Sequence, residues 1–282
     1  MKTKFLTSSS NEGKHQIAYK DWGDKNNPNV LFCAHGLTRN KHDFTPLAQQ
    51  LSSKRRVICF DFPGRGESDW LSNKNSYDIN QYVKDSMAIL EKINVVKVDW
   101  LGTSMGGLVG IHLAAMNKSP INRFIINDVG PFISKEAVKR IGEYVGLVPE
   151  FNSHNELETY MREIYASFGT LSDEQWKQMV THGQRILENG KLALNYDPEI
   201  SVAFTNAPSD NLDLWSLWEG IDQPILIIHG EESDLLAKAT VTQMLQTKPS
   251  NELLSIPRTG HAPALMNKTD IKNIDMWLDK AL

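Results

Sequence analysis

The amino-acid sequence predicts an α/β fold: a mostly parallel, doubly wound sheet with helices on both faces and a helical insertion. Two observations carry that expectation. Short apolar runs rich in β-formers recur at 30–34, 57–60, 98–101, 123–126, 225–228 and 253–256, with helical patterns between them. Strands buried on both faces read as such continuous runs rather than as alternation. Between Asp128 and Ile225, by contrast, no segment reads as a convincing strand, and a structureless loop of that length inside a compact domain is uncommon.

The elements follow in order. The pieces around Phe5 and around 17–19 have a hairpin-like pattern and are expected to add antiparallel edge strands. Asp78 is placed as a helix N-cap with Gln81 three residues on, and Ile79, Tyr82, Val83, Met87, Leu90 and Ile93 then share one face. A second helix is expected after Ser104, with Leu108, Val109, Leu113 and Met116 as its apolar stripe. Helical segments near 136–145, 156–168 and 172–188 fill the insertion, and a last helix carries Ile271, Ile274, Trp277 and Leu278. The economical division is a core of 1–130 and 219–282 with a helical cap over 131–218.

Composition narrows the function. Of 282 residues, 40% are hydrophobic and 23% charged, ordinary globular usage. A net charge of -4, a pI near 6.1 and the lack of a Lys/Arg cluster offer no field for a phosphate backbone, so no nucleic-acid partner is expected. The first ten residues lack the apolar stretch of a secretory signal, and no apolar run is long enough to span a bilayer. Cys33 and Cys59 each sit inside an apolar run, the usual setting of a small buried thiol, and neither has a metal-ligand spacing. A disulfide is conceivable only if their strands are neighbours. A reduced, cytoplasmic protein is the expectation.

The chemistry concentrates at Gly102-Thr103-Ser104-Met105-Gly106, directly after an expected strand and directly before an expected helix. This is the G-x-S-x-G nucleophile elbow in its proper context. A nucleophile on so tight a turn occupies a strained backbone, and side chains two residues to either side would collide. Ser104 is therefore the candidate nucleophile, with the Met105 amide at the helix N-terminus facing a developing oxyanion. A serine hydroxyl needs a base. Among eight histidines His261 fits, in a Gly260-His261 loop beyond the last apolar strand and in the chain order Ser, acid, His. His35, after the first buried strand, is expected to hold the oxyanion loop, with the Leu37 amide as second donor. The acid that orients His261 is assigned to Asp234, in the loop after 225–228, with Asp128 at the end of the preceding strand as the alternative.

These residues resemble the α/β-hydrolase family, in its branch of serine esterases and related carbon-carbon bond hydrolases with a helical cap. The resemblance covers nearly the whole chain: His35-Gly36, the stretch from Asp61 through Pro63-Gly64-Arg65-Gly66 to Ser68, the elbow, Asn127 to Pro131, Gly230 to Asp234, and Gly260-His261. It implies an eight-stranded core, a cap over the active site, and neither a metal nor an organic cofactor. Leu37-Thr38-Arg39-Asn40 departs from relatives with a proline close after the His-Gly pair, and Ser104 departs from epoxide hydrolases and haloalkane dehalogenases, which use an aspartate there. The expected function is hydrolysis of a carboxylic ester of a small to medium acyl substrate through an acyl-enzyme, under a lid rich in Tyr160, Phe168, Trp176, Trp215 and Trp218. Trp176 and Trp215 are candidate substrate contacts, and Arg39 is a candidate reader of a substrate carboxylate. Cleavage of a carbon-carbon bond in a vinylogous diketone, and a ligand receptor on a hydrolase scaffold, are the alternatives.

Overall fold

A computed structural model describes residues 2–11, 13–205 and 210–280. Strands β1 (Lys4–Ser10) and β2 (Gly13–Trp22) form the expected antiparallel hairpin. The chain continues through β3 (Val30–Ala34), α1 (Thr45–Leu51), β4 (Arg56–Phe60), α2 (Ile79–Lys92), β5 (Val98–Thr103), α3 (Met105–Ala114) and β6 (Ile121–Asn127). An insertion follows: β7 (Phe132–Ile133), α4 (Lys135–Tyr144), α5 (His154–Ile164), α6 (Asp173–Gly183), β8 (Gln184–Ile186), β9 (Leu192–Leu194), α7 (Val202–Thr205), β10 (Leu212–Asp213) and α8 (Trp215–Glu219). The core closes with β11 (Ile225–Gly230), α9 (Lys238–Thr247), β12 (Glu252–Ile256) and α10 (Lys268–Leu278).

Eight strands form one sheet in the order β1-β2-β4-β3-β5-β6-β11-β12, parallel from β4 onward. The order reverses at β3: the chain steps to β4 on one side, then crosses back to β5 on the other. Open α/β sheets bind ligands at the carboxyl ends of the strands flanking such a reversal, so topology alone points to the loops after β3 and β5. The core strands are apolar on both faces. Leu31, Cys33, Leu101 and Ile125 pack under α1 and α10, while Phe32, Trp100, Phe124 and Ile126 pack under α2, α3 and the insertion. Truncating one such fully buried side chain, Ile274→Ala for example, costs about 2–5 kcal/mol.

Local chemistry sets the helix ends. Asp78 accepts the Gln81 amide at 2.8 Å, capping α2. The expected stripes of α2 and α3 face the core except at Met87 and Met116, which are exposed, while Ile89 and Ile111 are buried in addition. The segment expected as a helix over 172–188 stops at Gly183 and turns into the β8–β9 hairpin. A second small ladder pairs β7 with β10, tying together the two ends of the insertion. Strands of two or three residues carry too little alternation to show as a period in the sequence. Cys33 and Cys59 are direct partners across β3 and β4 and are both free, buried thiols. Burial pushes the Cys33 thiol up.

Candidate active site

Ser104 sits between β5 and α3 with φ +52° and ψ −116°. That conformation costs of order 1–3 kcal/mol in a non-glycine residue and persists only where the surroundings impose it. A β-carbon at Gly102 would overlap the Gly106 carbonyl, and one at Gly106 would overlap the Ala34 carbonyl. The crossing of β3, β5 and α3 is therefore so close that only glycine fits two residues to either side. The Ser104 amide donates to the Asn127 carbonyl at 2.9 Å, and the Trp100 indole donates to the Gly106 carbonyl at 3.0 Å, so the turn is pinned to the strand beside it and to the sheet below.

His261 leaves the loop after β12 with Nε2 2.9 Å from Ser104 Oγ. Its Nδ1 lies 2.9 Å from Asp128 Oδ2. A carboxylate accepts only, so Nδ1 carries the proton and Nε2 presents a lone pair to the serine hydroxyl. Asp128 follows β6 directly, is fully buried, and has φ +55°. Its Oδ1 accepts the Gly230 amide at 2.8 Å, and its Oδ2 also accepts the Ser233 hydroxyl at 2.6 Å. Desolvation of the carboxylate is thus offset by three donors.

The assignment of the acid to Asp234 is corrected by this geometry. The Asp234 side chain is 62% exposed and pairs with Arg140 of α4 at 2.9 Å. Four residues beyond the end of β11 the loop has already turned outward, and what it directs at the histidine's partner is the Ser233 hydroxyl.

Two backbone amides flank the serine. Met105 is the first residue of α3, so its N–H has no partner within the helix. A β-carbon at Gly36 would lie 3.7 Å from Ser104 Cβ, which puts the loop after β3 against this serine. The Gly36 carbonyl is held by His35 Nδ1 at 2.7 Å and by the Arg39 amide at 3.3 Å. In a trans peptide the Leu37 N–H points the opposite way and stays free of both. His35 accepts the Phe62 amide at Nε2 (3.0 Å), and burial, opposed by the bond to Gly36, pushes its imidazole down to about 3. It is a neutral structural brace. Arg65, fully buried, donates to the Leu37 carbonyl at 2.8 Å and to the Pro63 carbonyl and the Tyr82 hydroxyl at the same distance.

A cavity of about 370 Å³ opens above Ser104 and His261, and the insertion supplies most of its apolar wall, including Tyr160, Tyr165, Leu194 and Tyr196. Among the described residues, no group of three or more His, Cys, Asp or Glu is placed to hold a metal ion, and no helix is long and apolar enough to cross a membrane.

A family model for the alpha/beta hydrolase fold matches residues 29–267. The chain belongs to the α/β-hydrolase family. It is 41% identical over 278 residues to a 3-hydroxybutyrate-oligomer hydrolase of Cupriavidus necator, covering 95% of this chain and 94% of that relative. A 2-(acetamidomethylene)succinate hydrolase of Mesorhizobium japonicum is 24% identical over 239 residues, covering 83% and 81%. The crystal structure of an alpha/beta hydrolase from Novosphingobium aromaticivorans superposes with a TM-score of 0.87 at 32% identity, covering 99% of each chain.

In this hydrolase the expected contacts Trp176 and Trp215 do not line the cavity. Trp176 is buried beneath the Arg162 guanidinium, 5.2 Å from its ring centroid, and Trp215 packs on the hydrophobic core. Arg39 does line it, but as a buried side chain whose Nε and Nη2 already donate to Asp43 at 3.0 and 2.6 Å. Sequence reasoning missed Ser233 and Arg65 as supports, and also Ser167, whose hydroxyl donates to the His261 carbonyl at 2.6 Å. Arg65 lies inside the conspicuous stretch from Asp61 to Ser68, whereas Ser167, far away in the insertion, carries no sequence signal.

Proposed function

We propose that this hydrolase cleaves carboxylic esters through an acyl-enzyme on Ser104, and that its substrates are short oligoesters of 3-hydroxy acids. The observation that carries the first part is the run of two 2.9 Å contacts, Ser104 to His261 to Asp128, at the floor of the cavity. His261 Nε2 takes the hydroxyl proton as Ser104 attacks the ester carbonyl, Asp128 stabilises the imidazolium, and the same proton then passes to the departing alkoxide. The Leu37 and Met105 amides receive the oxyanion. Water, activated by His261, releases the acid in the second half-reaction. The substrate class is supported by the 3-hydroxybutyrate-oligomer hydrolase of Cupriavidus necator, which matches along almost the whole chain, and by a cavity within the usual size of a small-molecule site.

The insertion serves as a lid that excludes water and limits acyl length, since its Tyr160, Leu194 and Tyr196 line the same cavity as Ser104 and His261. Two free thiols on neighbouring strands suit a reducing cytoplasm. The test is to incubate the protein, dialysed against EDTA, with a linear 3-hydroxybutyrate trimer and to follow released monomer and dimer by chromatography. Release that is unchanged by EDTA and lost in Ser104→Ala is expected. No release from the trimer or from p-nitrophenyl butyrate, alongside cleavage of a vinylogous diketone, would move the reading to carbon-carbon hydrolysis.

A further inference from the structure

One wall of the cavity is polar, and the triad does not use it. Arg39 follows the oxyanion turn directly, its backbone amide bonded to the Gly36 carbonyl, and its guanidinium is buried over the Tyr165 ring, 4.7 Å from the centroid. Asp43 binds it along the Nε–Nη2 edge. Tyr165 is held in place by the core, its hydroxyl 3.3 Å from Thr38 Oγ1. Arg39, Asp43, Thr38 and Tyr165 all line the cavity.

This arrangement is the wrong one for a substrate carboxylate. The Nε–Nη2 edge, one of the two that grip a carboxylate with paired donors, is occupied, and an incoming anion would lie beside the Asp43 anion in a desolvated pocket, where like charges are costly. It is the right one for a hydroxyl. A guanidinium has five N–H donors and Asp43 takes two of them; Asp43 is 17% exposed, toward the cavity, with lone pairs to spare. A hydroxyl can donate to Asp43 and accept from Arg39 at once, and the pair it meets is neutral overall.

Resting on the reading of this site as an oligoester hydrolase, we propose that the Arg39–Asp43 pair is a specificity subsite that reads the free hydroxyl terminus of a hydroxy-acid oligoester, leaving the carboxylate terminus at the cavity opening. Tyr144 and Ile164, both part of the lining, are exposed there.

The experiment compares kcat/KM of the native enzyme on three 3-hydroxybutyrate dimers: unmodified, methylated on the terminal hydroxyl, and methylated on the terminal carboxyl. Capping the hydroxyl should cost about tenfold or more, the worth of a hydrogen bond to a charged group. Capping the carboxyl should cost little. In Asp43→Asn the difference between the unmodified and hydroxyl-capped dimers should shrink several-fold, a change in discrimination that a general loss of packing does not produce. A native enzyme slowed by carboxyl capping, or indifferent to hydroxyl capping, overturns the subsite. The three native measurements decide the matter even if Asp43→Asn fails to fold. If the native enzyme hydrolyses none of the dimers or their longer homologues, the oligoester reading itself fails, a different outcome from cleavage without discrimination.

Discussion

Two acidic loops stand side by side at the carboxyl ends of β6 and β11, paired strands in which Ile126 lies opposite Ile227. Asp128 follows β6 at once, and the sheet buries it and surrounds it with donors. Asp234 comes four residues after β11 ends, where the loop has reached solvent and a surface arginine. The two residues are chemically identical and close in the fold, yet only one can orient a histidine. The β11 loop contributes to the Asp128 site all the same: it supplies the Gly230 amide and the Ser233 hydroxyl that offset the burial of the carboxylate. An acid is useful here in proportion to how completely its charge is desolvated and then satisfied.

That comparison can be broken or sharpened by experiment, with Ser104→Ala as the reference for complete loss. Ester turnover should fall by about 10⁴ or more in this variant, with the circular dichroism spectrum unchanged. Asp128→Asn should lose about a hundredfold or more in kcat; in serine proteases the corresponding change costs about 10⁴, because the amide favours the wrong imidazole tautomer. A pH series asks whether burial governs another ionisable group of the site. Burial holds His35 at about 3 in the folded protein, against 6.5 in the unfolded chain. As pH falls the unfolded chain takes the proton first, so the contribution of this residue is complete above 6.5 and is lost progressively toward 3. Between pH 6.5 and 4.5 urea unfolding should therefore show stability falling faster in the native protein than in His35→Gln, by up to about 1.4 kcal/mol per pH unit; parallel curves would mean that His35 is not held neutral by the fold. The smallest effect belongs to Asp234→Asn. Its exposed pair with Arg140 is worth about 0–1 kcal/mol, and kcat should stay within about twofold of native. A large loss there would erase the distinction between the two loops.

The tight turn at Ser104 was legible in the sequence because so strained a backbone leaves no choice at Gly102 and Gly106, and the approach of His261 to it was legible from chain order. The choice of acid was not. Asp128 and Asp234 both follow apolar strands, and what separates them, the donors Gly230 and Ser233, appears only once β6 and β11 are paired. Trp176 and Trp215 illustrate another gap: periodicity places an aromatic on a helix but does not tell a cavity wall from a packing face. The pairing of Arg39 with Asp43 is a further feature that sequence reasoning passed over, although Asp43 stands at i+4, the spacing of an ion pair on a helical turn. The ladders within the insertion are two and three residues long and escape any pattern.

The most direct test of the central claim is to label the nucleophile. A fluorophosphonate mimics the acyl step and reacts only with a serine activated by its base. The enzyme should be inactivated with one equivalent bound, mass spectrometry of the digest should place the adduct on Ser104, and Asp128→Asn should react far more slowly while Asp234→Asn reacts at the native rate. An adduct on another residue, or full activity after prolonged treatment, would contradict the assignment of Ser104, His261 and Asp128 as the catalytic triad.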